Sequence, residues 1–322
     1  MKGTWKTVAV LVVLWTLLPL LMILAIQESG TLALKKEASV EEILPFMAAV
    51  SMKEDFHKEN AKAMAVIWRS NLLKMLEEEN CTISEVEKQY GSLQKELYLK
   101  KKELYELAVA ACQETKGEIL TYENQVCYCP FFALSSGITR DAFTFFEENE
   151  YPYLISVPSH RDEESEDYLS YYYFTREDFG NENIEENTQD IISGNENINE
   201  NTQDISGNEN MNESTQNVSG NGDINENTQI LQILEQDAAG YVTWIKVGEN
   251  IVGGEIFRQT YGLSSACFSI EQEGEQIRII CKGSGHGFGY SMYGGNAMAM
   301  EGSDYTALLK HYFPELHIEK SV

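Results

Sequence analysis

The residues able to do chemistry are few and scattered. His286 sits inside GSGHGFGYSMYGGN (residues 283–296), where Gly283, Gly285, Gly287 and Gly289 alternate with Ser284, His286 and Phe288. Glycine reaches backbone angles closed to other residues and permits close approach, so this alternation predicts a loop pressed against a ligand or another backbone. Ser291 and Tyr293 follow and add a hydroxyl and a phenol. The loop is not a dinucleotide fingerprint, because Phe288 or Tyr290 stands where the third glycine is required, and it lacks the lysine of a phosphate loop. Ser291, in GYSMY, is not on a nucleophile elbow. Cys127 and Cys129 supply two thiols, half of a zinc site, with no second pair at ribbon spacing. His57, His160, His311 and His317 stand apart from one another. Adjacent carboxylates such as Glu54 and Asp55 are too common in so acidic a chain to mark a site by themselves.

The elements that must position these groups are legible in part. A helix over 298–313 follows the glycine loop, basic at Lys310 and His311 and stopped by Pro314. Strands are predicted over 118–122, 241–247, 251–255, 266–272 and 276–282. The last two form a hairpin turning at Gly274-Glu275, which sets Phe268 opposite Cys281 and Ile270 opposite Ile279. A Cys267–Cys281 disulfide would need a one-residue slip that breaks the apolar face. Upstream, SVEE (residues 39–42) has capping-box spacing and opens a helix; further helices cover 57–79 and 82–115. Ala61, Ala63, Ala65 and Val66 give the second of these a surface for close packing.

Composition narrows the function. The chain has 322 residues, 43% of them hydrophobic, and a net charge of -27. So negative a surface excludes nucleic acid as a partner and electrostatic adhesion to anionic lipid. Residues 7–26 form an uncharged apolar run, preceded by Lys2 and Lys6 and followed by Glu28. Its length suits a membrane-spanning helix, and the flanking charges predict that the rest of the chain lies outside the cytoplasm. The run is long for a cleaved signal peptide and no small-x-small cleavage site follows, so an uncleaved anchor is expected. Residues 180–228 repeat GNENINENTQDIS-like units starting at Gly180, Gly194, Gly207 and Gly220, with no Lys or Arg between Arg176 and Lys246. A repeat this short and polar cannot bury a core, and it reads as a solvated insertion.

The glycine stretch also carries a resemblance. GHGFGYSMYGGNAMAMEGSDYTALLKHYFP (residues 285–314) resembles the C-terminal signature of the stage II sporulation protein D family (SpoIID/LytB), G-H-G-x-G-x-S-Q-x-G-A followed by A-x-x-G-x-x-Y-x-x-I-L-x-H-Y-Y-P. It departs at Met292, where the family has Gln, and more mildly at Gly295, where it has Ala. VEEILPFMAAVSMKEDFHKENAKAMAVIWR (residues 40–69) is similar, without a gap, to V-x-A-S-E-M-P-x-x-F-x-x-E-A-L-K-A-Q-A-x-A-A-R-T, with Met52, Phe56, Glu59, Lys62, Ala63, Ala65 and Arg69 matching. TKGEILTY (115–122) and PYLISV (152–157) match further family segments. Ser135-Ser136-Gly137 resembles the tail of an H-S-T-S-G-G loop, although Ala133 stands where its His would be.

The resemblance implies an α+β fold: one SpoIID-like domain behind an N-terminal transmembrane helix, interrupted by the low-complexity insertion. The expected divisions are 1–36 (tail, anchor and spacer), 37–179, 180–229 (the repeat) and 230–322. It implies peptidoglycan glycan strands as the partner, with other sporulation wall hydrolases or membrane proteins alongside, and no cofactor. Family members are lytic transglycosylases or enhancers of a wall amidase. The transglycosylase reaction needs an acid that protonates the glycosidic oxygen and then takes a proton from the sugar 6-hydroxyl. That acid is the Glu of E-M-P, and Ser51 stands at its position. A catalytically impaired glycan binder is therefore expected. The alternatives are an active enzyme with a displaced acid, Glu54 or Asp55, and an adaptor for another hydrolase. His286, Ser291, Tyr293, Ser136 and Arg69 are the residues expected to line the glycan groove. Cys127 and Cys129 remain a weak metal candidate.

Overall fold

A computed structural model describes residues 40–53, 55–78, 83, 101–145, 151–179 and 230–321. The apolar run 7–26 and the repeat 180–229 lie outside them. Among the described residues no helix is long and apolar enough to cross a membrane.

The architecture is α+β and is built on two apolar cores. Helices α1 (Val40–Ser51), α2 (Lys58–Glu78) and α3 (Lys102–Glu114) pack against one another. Ala61, Ala63, Ala65 and Val66 are fully buried. With so little side chain on α2 its neighbours can approach closely, as the sequence predicted. Strand β1 (Glu118–Tyr122) covers α2 and pairs antiparallel with β2 (Gln125–Val126) and with the C-terminal strand β11 (His317–Lys320). Two short elements follow β2: β3 (Phe131–Phe132) and α4 (Ala142–Phe145).

The second core lies among two three-stranded sheets and a helix. One sheet has the order β4 (Leu169–Thr175), β9 (Gln276–Lys282), β8 (Phe268–Glu273). The other has β5 (Leu231–Gln236), β6 (Val242–Val247) and β7 (Asn250–Gly253), followed by α5 (Gly254–Thr260). The β8–β9 hairpin has the expected register, Phe268 opposite Cys281 and Ile270 opposite Ile279. Gly274 opens its turn at φ +61°. Cys267 and Cys281 are buried free thiols.

Two expectations are corrected. The strand expected over 251–255 ends at Gly253, and the chain turns directly into α5. The single helix over 298–313 is two helices, α6 (Met292–Met300) and α7 (Tyr305–Tyr312). Gly302, at φ +103°, ends the first, and the Asp304 carboxylate caps the second by accepting from the Ala307 amide at 2.8 Å. Strands β4 and β5 had not been foreseen. The helix expected over 82–115 is seen only as α3, because most of its first half lies outside the described residues.

Candidate functional site

The glycine loop joins the two cores. All four alternating glycines have positive φ, between +76° and +102°. Of the two predicted partners, ligand or backbone, a backbone occupies this contact. The amides of Leu134 and Ser284 exchange hydrogen bonds with each other's carbonyls at 3.0 and 2.7 Å, and β10 (Tyr290–Ser291) runs parallel to β3. A Cβ at Gly289 would stand 2.2 Å from the Pro130 carbonyl oxygen, and one at Gly285 would stand 2.7 Å from Phe132 Cβ. Neither position has room for a side chain.

The loop aims its side chains in different directions. His286 points inward and is 2% exposed. Its ring lies beside those of Phe132 and Phe288, and its Nδ1 accepts from the Phe288 amide at 3.1 Å. Burial first, then the nearby Arg258 and Arg140, push its pKa down to about 3, so it is neutral. Beneath it Arg140 pairs with Asp237 and Glu255, both at 2.6 Å, and Arg258 pairs with Glu255 at 2.8 Å. Buried charges persist only when paired in this way. The expectation that His286 lines an open groove is therefore corrected: it belongs to the polar joint under the loop.

Ser291 is also buried. Its hydroxyl caps α6 through the Gly294 amide and donates to Asp162 Oδ1 at 2.9 Å. Asp162 Oδ2 accepts from the Ser135 amide at 2.9 Å. Burial raises the Asp162 pKa, against hydrogen bonds from Ser135, Ser291 and Ser159 that lower it. Ser136 is half-buried and donates to the Ala239 carbonyl at 3.2 Å. Tyr293 is half-buried, and its phenol pKa is raised by burial first and then by Glu164, Asp162 and Asp55. Of the predicted binding residues, Tyr293 is the one bordering charged surface groups. Asp55 is exposed, and Lys53 pairs with Asp167 at 3.8 Å nearby in the chain. Glu54 lies outside the described residues.

Two asparagines that sequence reasoning missed bring the distant halves together. Asn296 Oδ1 accepts from the His57 amide at 2.7 Å, and its Nδ2 donates to the Asp55 carbonyl at 3.2 Å. Asn60 Nδ2 donates to the Met292 carbonyl at 3.1 Å, and the Tyr290 hydroxyl donates to Asn60 Oδ1 at 2.6 Å. The segment after α1 is thus fixed against the start of α6, more than 200 positions away. Ser51 lies just before that segment and is 3% exposed. Its Oγ accepts from Trp68 Nε1 at 2.9 Å and donates weakly to the Met47 carbonyl at 3.5 Å.

The family model described as SpoIID, stage II sporulation protein, matches residues 28–122. Stage II sporulation protein D of Bacillus amyloliquefaciens is 26% identical over 295 residues, covering 88% of this chain and 74% of that protein. Its counterpart in Bacillus subtilis (strain 168) is 27% identical over 298 residues, covering 88% and 75%. Residues 28–122 thus carry the SpoIID family's domain, and similarity to stage II sporulation protein D runs along most of the chain. An amidase enhancer of Bacillus subtilis (strain 168) is similar over a shorter stretch, 34% identical over 64 residues, which is 20% of this chain and 8% of the enhancer.

Two remaining candidates have internal partners. Arg69 is 1% exposed. Its Nε and Nη2 donate to the Glu41 carboxylate at 2.7 and 3.2 Å, and its other bonds reach the carbonyls of Glu118 and Cys112. It ties α1, α2, α3 and β1 together and does not face a groove. The Cys127 and Cys129 thiols are buried and donate to the carbonyls of Gln125 and Cys127. Burial pushes Cys127 up to about 11 and Cys129 well above the usual thiol range, which disfavours the thiolate that a metal requires. Among the described residues no group of three or more His, Cys, Asp or Glu side chains is arranged to hold a metal ion.

Proposed function

We propose that this SpoIID-family protein is anchored by residues 7–26, faces the cell wall, and binds peptidoglycan glycan strands during sporulation without cleaving them by the family mechanism. The observation that carries the reading is the state of Ser51. Its hydroxyl is buried and bonded to Trp68 and Met47 at the position where the resemblance puts the catalytic acid. A serine hydroxyl cannot protonate a leaving oxygen near neutral pH, because its alkoxide is far too basic. General acid–base catalysis is worth ~10²–10⁴-fold, and the upper end corresponds to about 5 kcal/mol of barrier.

The binding surface in this reading is the exposed ground around Tyr293, between the segment after α1 and the 3-10 turn His160–Glu164. Its test is a pull-down of glycan strands stripped of stem peptides, comparing wild type with Tyr293→Ala. Retention by wild type and loss in the variant support the reading. A wild type that retains no glycan favours the adaptor class, which the short similarity to an amidase enhancer makes the natural rival. An active enzyme with a displaced acid is the second reading, favoured by the exposure of Asp55 close to Tyr293. Anchoring is tested by membrane fractionation: the intact chain should stay with the membrane, and a soluble form beginning near Gln27 would overturn it.

A further inference from the structure

The outward face of strand β4 is unusual for a solvated sheet. Ser170, Tyr172 and Phe174 alternate with Leu169, Tyr171 and Tyr173, and Tyr172 and Phe174 pack against the second core. The alternate positions should then be polar. Instead Leu169, Tyr171 and Tyr173 are 42%, 51% and 73% exposed. Alternate residues of a strand are spaced ~7 Å apart, so the three side chains form a straight row ~14 Å long.

Strand β9 sets cations beside this row. Lys282 stands opposite Leu169, Ile280 opposite Tyr171, and Arg278 opposite Tyr173. The Tyr173 hydroxyl bonds Arg278, which Glu271 of β8 holds from the other side. Glu271 and Glu273 of β8 share this face, so its charge is balanced where the chain as a whole carries -27. The row also begins where the Tyr293 surface ends. Ser165 bonds Tyr293, Asp167 pairs with Lys53, and the Tyr168 hydroxyl donates to the Ser136 carbonyl at 3.0 Å. Leu169 is the next residue.

We propose that Leu169, Tyr171 and Tyr173, with Arg278 and Lys282, extend the binding surface beyond Tyr293 and take further sugars of the same linear β-1,4-linked amino-sugar strand. The proposal rests on the glycan reading above. A tyrosine offers a flat apolar face with a polar tip, and the C–H face of a pyranose ring matches it. A straight row of such faces suits a straight polymer. Lys282, opposite Leu169, can meet a muramic acid carboxylate at that end of the row, and the balanced charge elsewhere on the face does not repel the strand. A partner protein adding a strand to the edge of β4 is the competing occupant. That mode uses backbone groups along the edge and gives no reason for exposed tyrosines on the face.

The test titrates the purified full chain with a disaccharide and a hexasaccharide of β-1,4-linked N-acetylglucosamine. Wild type should bind the hexasaccharide about tenfold or more tighter than the disaccharide, a difference of about 1.4 kcal/mol. Tyr171→Ala/Tyr173→Ala should lose that gain and keep the disaccharide affinity. Because both rings are solvated, the fold should be unaffected. Trp244→Ala, at an exposed aromatic on the other sheet, should behave as wild type. A double variant that keeps its preference for the longer sugar would overturn the extension and leave the glycan reading intact, the result expected if the face serves a protein. The extension also fails if wild type binds both lengths equally, or if Trp244→Ala loses as much as the double variant. Binding of neither sugar by wild type would remove the glycan reading together with the extension.

Discussion

His286 should make the protein acid-labile by an amount that can be calculated. It is buried, and its folded pKa is about 3, with burial as the largest cause and Arg258 and Arg140 adding to it. The unfolded chain has an ordinary histidine, with a pKa of about 6.5. The folded pKa is the lower one, so the stability is present above about pH 6.5 and is lost as pH falls towards 3, where the unfolded state binds a proton that the folded state refuses. Between pH 7 and pH 5 this costs about 2 kcal/mol, a large share of a typical domain's stability. Asp162 acts in the opposite sense, because its raised carboxyl takes up a proton more readily when folded. The comparison must therefore isolate the histidine. Urea unfolding of wild type and His286→Gln at pH 7 and at pH 5 does so: the variant loses packing equally at both, and only the change with pH is read. Wild type should lose about 2 kcal/mol more than the variant over this interval. Parallel losses, or a His286 resonance titrating near 6.5, would refute the inward-facing, neutral histidine.

Gly289→Ala should lower stability by roughly 2–4 kcal/mol, because alanine must adopt φ +79° and its Cβ meets the Pro130 carbonyl oxygen. An unshifted urea midpoint would mean the loop does not press on this backbone. Arg69→Met should cost ~3 kcal/mol, because Glu41 keeps only the Gly117 amide and the carbonyls of Glu118 and Cys112 lose the guanidinium. The same variant should leave the glycan affinity of the folded protein unchanged, and a selective loss of affinity would return Arg69 to the binding surface.

The parts of the fold that were legible are those where one face is apolar and the other is not. The β8–β9 hairpin follows from strict alternation and a glycine-led turn, so its register could be read pair by pair. β1 is likewise a short apolar segment bounded by Gly117 and the Glu123-Asn124 turn, both with positive φ. β4 was missed because its outward positions carry Leu and Tyr, leaving no polar side to reveal the alternation. The break between α6 and α7 was signalled by Gly302 and the capping Asp304, but apolar spacing continues across it and hides it.

The site was harder to read. Alternating glycines announce a close approach without saying which way the intervening side chain points, and for His286 that direction is the whole question. Asp162 lies in an acidic run with nothing to mark it as buried. Asn60 and Asn296 act through a contact between distant segments that no local pattern contains.

In the function proposed above, the protein holds glycan strands and does not cut them. The direct measurement incubates the full chain with strands stripped of stem peptides and counts anhydromuramyl ends, for wild type, Ser51→Glu and Glu54→Ala/Asp55→Ala. Wild type should retain glycan and release no ends above background. Clear release of anhydromuramyl ends by wild type, abolished in the Glu54→Ala/Asp55→Ala variant, would contradict that function.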